Sequence, residues 1–258
     1  MNTRLLILVF LLLGLAKQEV HSQFGFSHEI GVIAGPVVFY SDFGQRYDFE
    51  TNSGNVGFGV GLIHYINFSY RADCNCYTRD TYFNDHFKLR NEIDYHKTNL
   101  QHFGDYVDAS ENSIWADQLR AMTGSSTVLE IGSQLEFFPL SIRDFAAGGY
   151  KIAPFGSIGA HWVSYNPEVE SSLGELNLPA STPQKYFDSF QQEGGSTWAL
   201  VGSVGARYKL SVLSDLMLDL RWTYYGSNWV DGLNPDVPEN KANEWTYWIN
   251  FGYIYYLD

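Results

Sequence analysis

The chain has 258 residues, with 16 Lys+Arg against 29 Asp+Glu and a formal charge of −13. An acidic chain without a basic patch is not built to hold nucleic acid or to dock electrostatically on anionic lipid. Aromatic residues make up 17% of it while mean hydropathy is only −0.19, which excludes helical membrane spans and fits sheets with one apolar and one polar face.

The N-terminus reads as an export signal. Arg4 precedes an apolar run over 5–15, and Val20-His21-Ser22 supplies small residues for cleavage, so residues 1–22 are expected to be removed and Gln23 to begin the mature protein. The run is too short to span a bilayer, and no Cys stands at the cut to receive a lipid. Losing Arg4, Lys17 and Glu19 leaves 14 cationic against 28 acidic side chains, a charge of −14.

From there to the end, residues 23–258, segments of period two follow one another. Strand side chains alternate between faces, so such segments separate two unlike environments. Strand one, 26–40, sets Ile30, Val32 and Ala34 against Glu29, Gly31 and Gly35. Strand two, 55–70, sets Val56, Phe58, Val60, Leu62 and Ile66 against Asn55, Gly57, Gly59 and Gly61. Strand three, 85–100, is the most polarised: Phe87, Leu89, Ile93 and Tyr95 stand against His86, Lys88, Arg90, Glu92, Asp94 and His96. Strand four, 126–138, opposes Leu129, Ile131, Leu135 and Phe137 to Glu130, Gln134 and Glu136.

Strand five, 150–165, opposes Ile152, Ile158 and Trp162 to Lys151, Ser157 and His161. Strand six, 196–210, opposes Trp198, Leu200 and Val204 to Ser203, Gly205 and Arg207. Strand seven, 215–225, opposes Leu216, Leu218, Leu220 and Trp222 to Asp215, Asp219 and Arg221. Strand eight, 244–257, presents Trp245, Tyr247, Ile249, Phe251 and Tyr253 on one side.

An even strand count with long connections (41–54, 101–125, 166–195, 226–243) alternating with generally shorter ones (71–84, 139–149, 211–214) is the pattern of an eight-stranded antiparallel transmembrane β-barrel with long outer loops and short periplasmic turns. The first of the shorter set, 71–84, is as long as the first outer loop. Helical spacing of Ile114, Trp115, Leu119 and Met122 predicts a short helix in the second outer loop. Volume decides which face is inside. An eight-stranded barrel has an interior just wide enough for side chains to fill, so the rings and leucines of eight strands would overpack it. The apolar faces therefore point to lipid, in the outer membrane.

The polar faces then bring Lys88, Arg90, Glu92, Asp94, His96, Glu130, Glu136, Arg207, Asp219 and Arg221, with Lys151, into a common lumen. Buried charges must pair, so a salt-bridged plug is the expected state, with a gated ion path as its rival. A barrel enzyme acting on lipid or peptide ranks third. Asp94 and His96 form a His/acid pair near an outer rim, without a nucleophile beside them. The run Gly57-Phe58-Gly59-Val60-Gly61 is one face of a strand and not a strand-to-helix turn, so no dinucleotide site, and no cofactor, is expected. Cys74 and Cys76 lack Cys-x2-Cys spacing and read as a disulfide or thiol pair in a connecting turn, with no metal site expected.

The stretches Glu130-Ile131-Gly132-Ser133-Gln134-Leu135-Glu136-Phe137-Phe138-Pro139 and Ala153-Pro154-Phe155-Gly156-Ser157-Ile158-Gly159-Ala160 resemble those of small outer-membrane barrels of Bacteroidota, broadly those called PorT-like. More narrowly, Arg71-Ala72-Asp73-Cys74-Asn75-Cys76-Tyr77 is similar to a flavobacterial barrel family of unknown role. The resemblance implies a non-enzymatic accessory of envelope biogenesis or type IX-like protein secretion, whose partners are outer-membrane lipid and other envelope or secretion proteins. Nothing in the chain supports a dehydrogenase, because the nucleotide fingerprint and helix–strand alternation are both missing.

Overall fold

The computed structural model describes residues 26–45, 48–68, 81–240 and 242–257. The expected export signal and Cys74 and Cys76 lie outside them. Among the described residues the alternating segments form β1 (Ser27–Tyr40), β2 (Val56–Asn67), β3 (Phe87–Gln101), β4 (Met122–Phe137), β5 (Ile152–Ser171), β6 (Gly195–Ser211), β7 (Ser214–Tyr225) and β8 (Trp245–Tyr256). Each pairs antiparallel with the next, and β8 returns to β1 with Glu29 opposite Tyr256 and Tyr40 opposite Trp245. The sheet is a closed barrel. Closure gives each strand a hydrogen-bonding neighbour on both sides, which is the condition for extended chain to cross lipid.

The faces divide as volume requires. Ile30, Val32, Phe58, Leu62, Ile93, Ile131, Trp162, Leu200, Leu218 and Phe251 are exposed on the outside, while Arg90, Arg207, Arg221, Glu92 and Asp219 are buried within. Near the loop end, Tyr40, Trp245 and Tyr247 stack with centroids 4.8–5.3 Å apart, and Trp222 meets Tyr247 at 5.9 Å. At the other end Phe83, Phe87 and Phe137 form a second aromatic group, at 4.8 and 5.2 Å. An apolar band between two aromatic girdles is what a bilayer selects on a barrel exterior. The molecule is a transmembrane β-barrel of the outer-membrane type.

The strands differ from the sequence expectation chiefly at the loop end. β4 begins at Met122 and β5 runs to Ser171, and these extensions pair with each other from Met122↔Ser171 to Thr127↔Asn166. Asn166 and Pro167 look like a turn in the sequence, yet alternation continues through them, with Val169 buried and Glu168 and Glu170 exposed. Two interior positions also demand glycine. A Cβ on Gly61 would strike the Asp94 carboxylate, and one on Gly59 would strike the Trp248 indole. Small residues on β2 thus make room for large ones on β3 and β8.

The helix in the second outer loop is α1 (Ile114–Ala121), capped by Ser113, whose hydroxyl accepts from the Ala116 amide at 3.2 Å. On the periplasmic side α2 (Ile142–Ala146) lies between β4 and β5, with Ile142 and Phe145 buried.

Candidate functional site

The lumen is filled by a chain of charge contacts running along the barrel. At its periplasmic end Glu29 of β1 receives Lys88 at 2.5 Å and Arg207 at 2.6 Å. Arg207 also reaches Glu136 at 3.2 Å and lies over the Tyr65 ring, whose hydroxyl donates to the same Glu136 at 3.0 Å. Lys209 and the Tyr256 hydroxyl hold Asp215 at 3.3 and 2.6 Å.

At mid-barrel Arg90 binds Glu92, Asp219 and Glu136 at 2.8, 2.9 and 3.2 Å. Arg221 spans Glu92 and Asp94, both at 2.7 Å, above the Trp248 ring. Gln134 donates to Glu92 as well. Nearer the loops His161 bridges Glu92 at 2.9 Å and Glu130 at 2.8 Å, and the Tyr225 hydroxyl donates to Glu130 at 2.9 Å while meeting His96 at 3.1 Å.

All ten residues assigned to the lumen from the sequence are buried: Lys88, Arg90, Glu92, Asp94, His96, Glu130, Glu136, Arg207, Asp219 and Arg221. Two neighbours of that set belong elsewhere. Lys151 precedes β5 in a turn and is exposed, so it does not join the lumen. His86 ends a short helix at the rim and bonds the Phe138 carbonyl at 2.6 Å. Asp94 is also not at an outer rim. Strand tilt and register carry it to mid-barrel opposite Gly61 and Glu130, where Arg221 holds it.

Glu29, His161 and Asp215 share the inward parity of their strands, which is the signal for including them. Tyr65 and Tyr225 escape a rule that assigns bulky rings to lipid. Their inward parity against Val60–Leu62 and Trp222–Tyr224 is what reveals them.

Apolar plugs close both ends of this polar column. On the periplasmic side Phe138, Ile142, Phe145 and Phe155 pack together, and the same apolar cluster runs up the barrel through Ile63, Met217 and Ile33 to Trp248 beside Arg221. On the outer side Phe39, Val128, Val163 and Tyr225 meet Val230 and Leu233 of the fourth outer loop, which dips into the mouth of the barrel. That loop is tied down on several sides. The Asp42 amide donates to Asp231 at 2.6 Å, Ser126 to the Val230 carbonyl at 2.5 Å, and the Gln191 amide to the Gly232 carbonyl at 2.9 Å. Phe190 and Leu233 form a β-bridge between the third and fourth loops.

Within this cap His102 is buried against Phe43, Tyr106 and Tyr186, with ring centroids at 5.0, 6.4 and 5.9 Å. Desolvation pushes its imidazole down to about 3, outweighing a backbone hydrogen bond at Phe43 that acts the other way. Burial likewise lifts the Tyr106 hydroxyl up to about 12, and its O–H donates to the Phe43 carbonyl at 3.3 Å.

Two outcomes are expected. Arg221→Met leaves Glu92 and Asp94 without their main cation, so urea unfolding in liposomes should show a loss of about 3–5 kcal/mol. For His102 the unfolded ring takes a proton near pH 6.5 and the folded ring does not, so acid favours the open cap. Cap stability, followed by protease protection of the outer loops, should hold above that pH and decline steadily toward about pH 3. His102→Phe should flatten this part of the profile.

No family model and no curated protein matches the chain. Among solved structures it is similar to Neisserial surface protein A, at 13% identity over 88% of this chain and 96% of that one, with a TM-score of 0.44. It is similar to OprG from Pseudomonas aeruginosa at 13% identity, covering 89% and 97%, with a TM-score of 0.43. A major outer membrane protein from Thermus thermophilus gives 14% identity, 89% and 99% coverage, and a TM-score of 0.47. Its own apolar belt, girdles and closed sheet make this chain a protein of the outer membrane.

Proposed function

We propose that this protein is a sealed, non-enzymatic outer-membrane barrel that presents a structured outer platform, acting as an accessory of envelope biogenesis or protein secretion in the manner of the PorT-like barrels it resembles in sequence. The observation that carries this proposal is the filled interior. A column of ion pairs from Glu29 to Glu130 lies between two apolar plugs, so the barrel wall encloses packed side chains where a channel would need water.

The charges of the lumen are committed to one another. Arg221 bridges Glu92 and Asp94, Arg90 also holds Glu92, and Arg207 bridges Glu29 and Glu136. An ion path would need such groups to exchange partners with passing ions. Asp94 and His96 are similarly unsuited to catalysis, being 0% and 1% exposed inside the packed column. What remains free to act is the outer cap, which four loops build into one body through hydrogen bonds and a shared apolar cluster. Ordered loops on a rigid barrel are suited to recognition.

Planar-bilayer recording provides the test. The purified protein should add no stepwise current to a bare bilayer, and chemical cross-linking in intact outer membranes should trap it with defined envelope proteins. Regular conductance steps would overturn the proposal in favour of a channel.

A further inference from the structure

The four outer loops converge on a cleft of about 850 Å3 that the lumen does not explain. Gln45 comes from the first loop, Asp105, Tyr106, Glu111 and Trp115 from the second, Lys185 and Tyr186 from the third and Asn240 from the fourth. Its volume falls in the range of ligand pockets, and its walls are held in place. Tyr106 is fixed by its bond to Phe43, Tyr186 is 5% exposed, and Leu119 anchors α1 from below. On the facing turn of that capped helix Trp115 stands 70% exposed, outside the lipid-facing strands. A large indole held in water on a rigid helix, beside a concave aromatic wall, is an anchor surface of the kind that dominates interfaces.

Charge selects what fits. Asp105 and Glu111 line the cleft, and Glu50, Asp108, Asp117 and Glu175 are exposed elsewhere on the outer loops. Among the described outer-loop residues the exposed cations are Arg120 and Lys185. Arg120 is consumed by Asp117 and the carbonyls of Val107, Asp108 and Glu111. Lys185 lies with its Nζ 5.1 Å from the Tyr186 ring centre, so the aromatic wall already accepts one ammonium. A neutral sugar would donate hydroxyls to the carboxylates without matching their charge, and an acyl chain would desolvate them.

Resting on the interaction role argued above, we propose that this cleft binds a cationic peptide segment of an exported protein. A large apolar residue of the segment packs on Trp115 and Tyr106, and flanking Lys or Arg side chains meet Asp105 and Glu111.

The mature protein in nanodiscs is titrated into a fluorescein-labelled hexapeptide of four lysines around Phe-Leu, with anisotropy as the readout. Saturable binding is expected, weakened about fivefold or more by raising salt from about 0.05 M to about 0.5 M. Trp115→Ala should weaken it about tenfold and Glu111→Gln about threefold. The same peptide with glutamate for lysine should not bind, and maltoheptaose should not compete. Both substituted positions are exposed, and retained heat-modifiable gel migration confirms that each variant is folded. Absence of saturable binding, unchanged affinity in the folded variants, equal binding of the acidic peptide or competition by the sugar would each overturn the inference. A silent bilayer recording alongside such a failure would leave the sealed-barrel proposal standing, whereas conductance steps would remove that proposal itself.

Discussion

In a barrel this narrow, every side chain that points inward must be matched by another arriving from a different strand. Lipid outside cannot receive what is left unmatched. The ion-pair column meets this constraint by branching. Arg90 of β3 touches Glu136 of β4 and Asp219 of β7, while Arg221 of β7 returns to Glu92 and Asp94 of β3. Shifting any one strand by a single residue would turn its charges toward lipid and leave their partners alone. The lumen therefore fixes register as well as filling space, and the glycines of β2 are part of the same solution. Gly59 and Gly61 leave the volume that Trp248 and Asp94 occupy.

Buried ion pairs are a weak source of net stability, because desolvation offsets most of the attraction. Their value here lies in specificity. Adjacent strands with similar apolar outer faces could pair in several registers at comparable cost to the lipid-facing side. Only one register lets Glu29 meet both Lys88 and Arg207 while His161 reaches Glu92 and Glu130.

Much of this was legible in the sequence because period-two alternation encodes a side-chain direction directly. Val56, Phe58, Val60 and Leu62 against Gly57, Gly59 and Gly61 suffice to place one wall, and the ten polar lumen residues follow by parity. Three features escaped that logic. The continuation of β5 past Asn166 and Pro167 was hidden by residues that usually mark turns. The inward rings of Tyr65, Tyr225 and Trp248 run against the rule that large apolar groups face lipid, and they are inside because cations and carboxylates need their hydroxyls and π-faces. The outer cap depends on contacts between loops far apart in sequence, such as Asp42 with Asp231, for which local pattern carries no signal.

The packed column also assigns the working surface of the molecule, since a sealed interior leaves recognition to what projects beyond it. The most direct measurement of the central claim is the water accessibility of the lumen itself. A thiol introduced as Ser203→Cys, in a background with Cys74→Ser and Cys76→Ser, would replace a buried hydroxyl that now bonds Ser157 at 2.6 Å. A small, charged, water-soluble methanethiosulfonate should leave that thiol unmodified until the barrel is unfolded. Rapid labelling of the folded protein would mean that water fills the interior, and the account would be wrong.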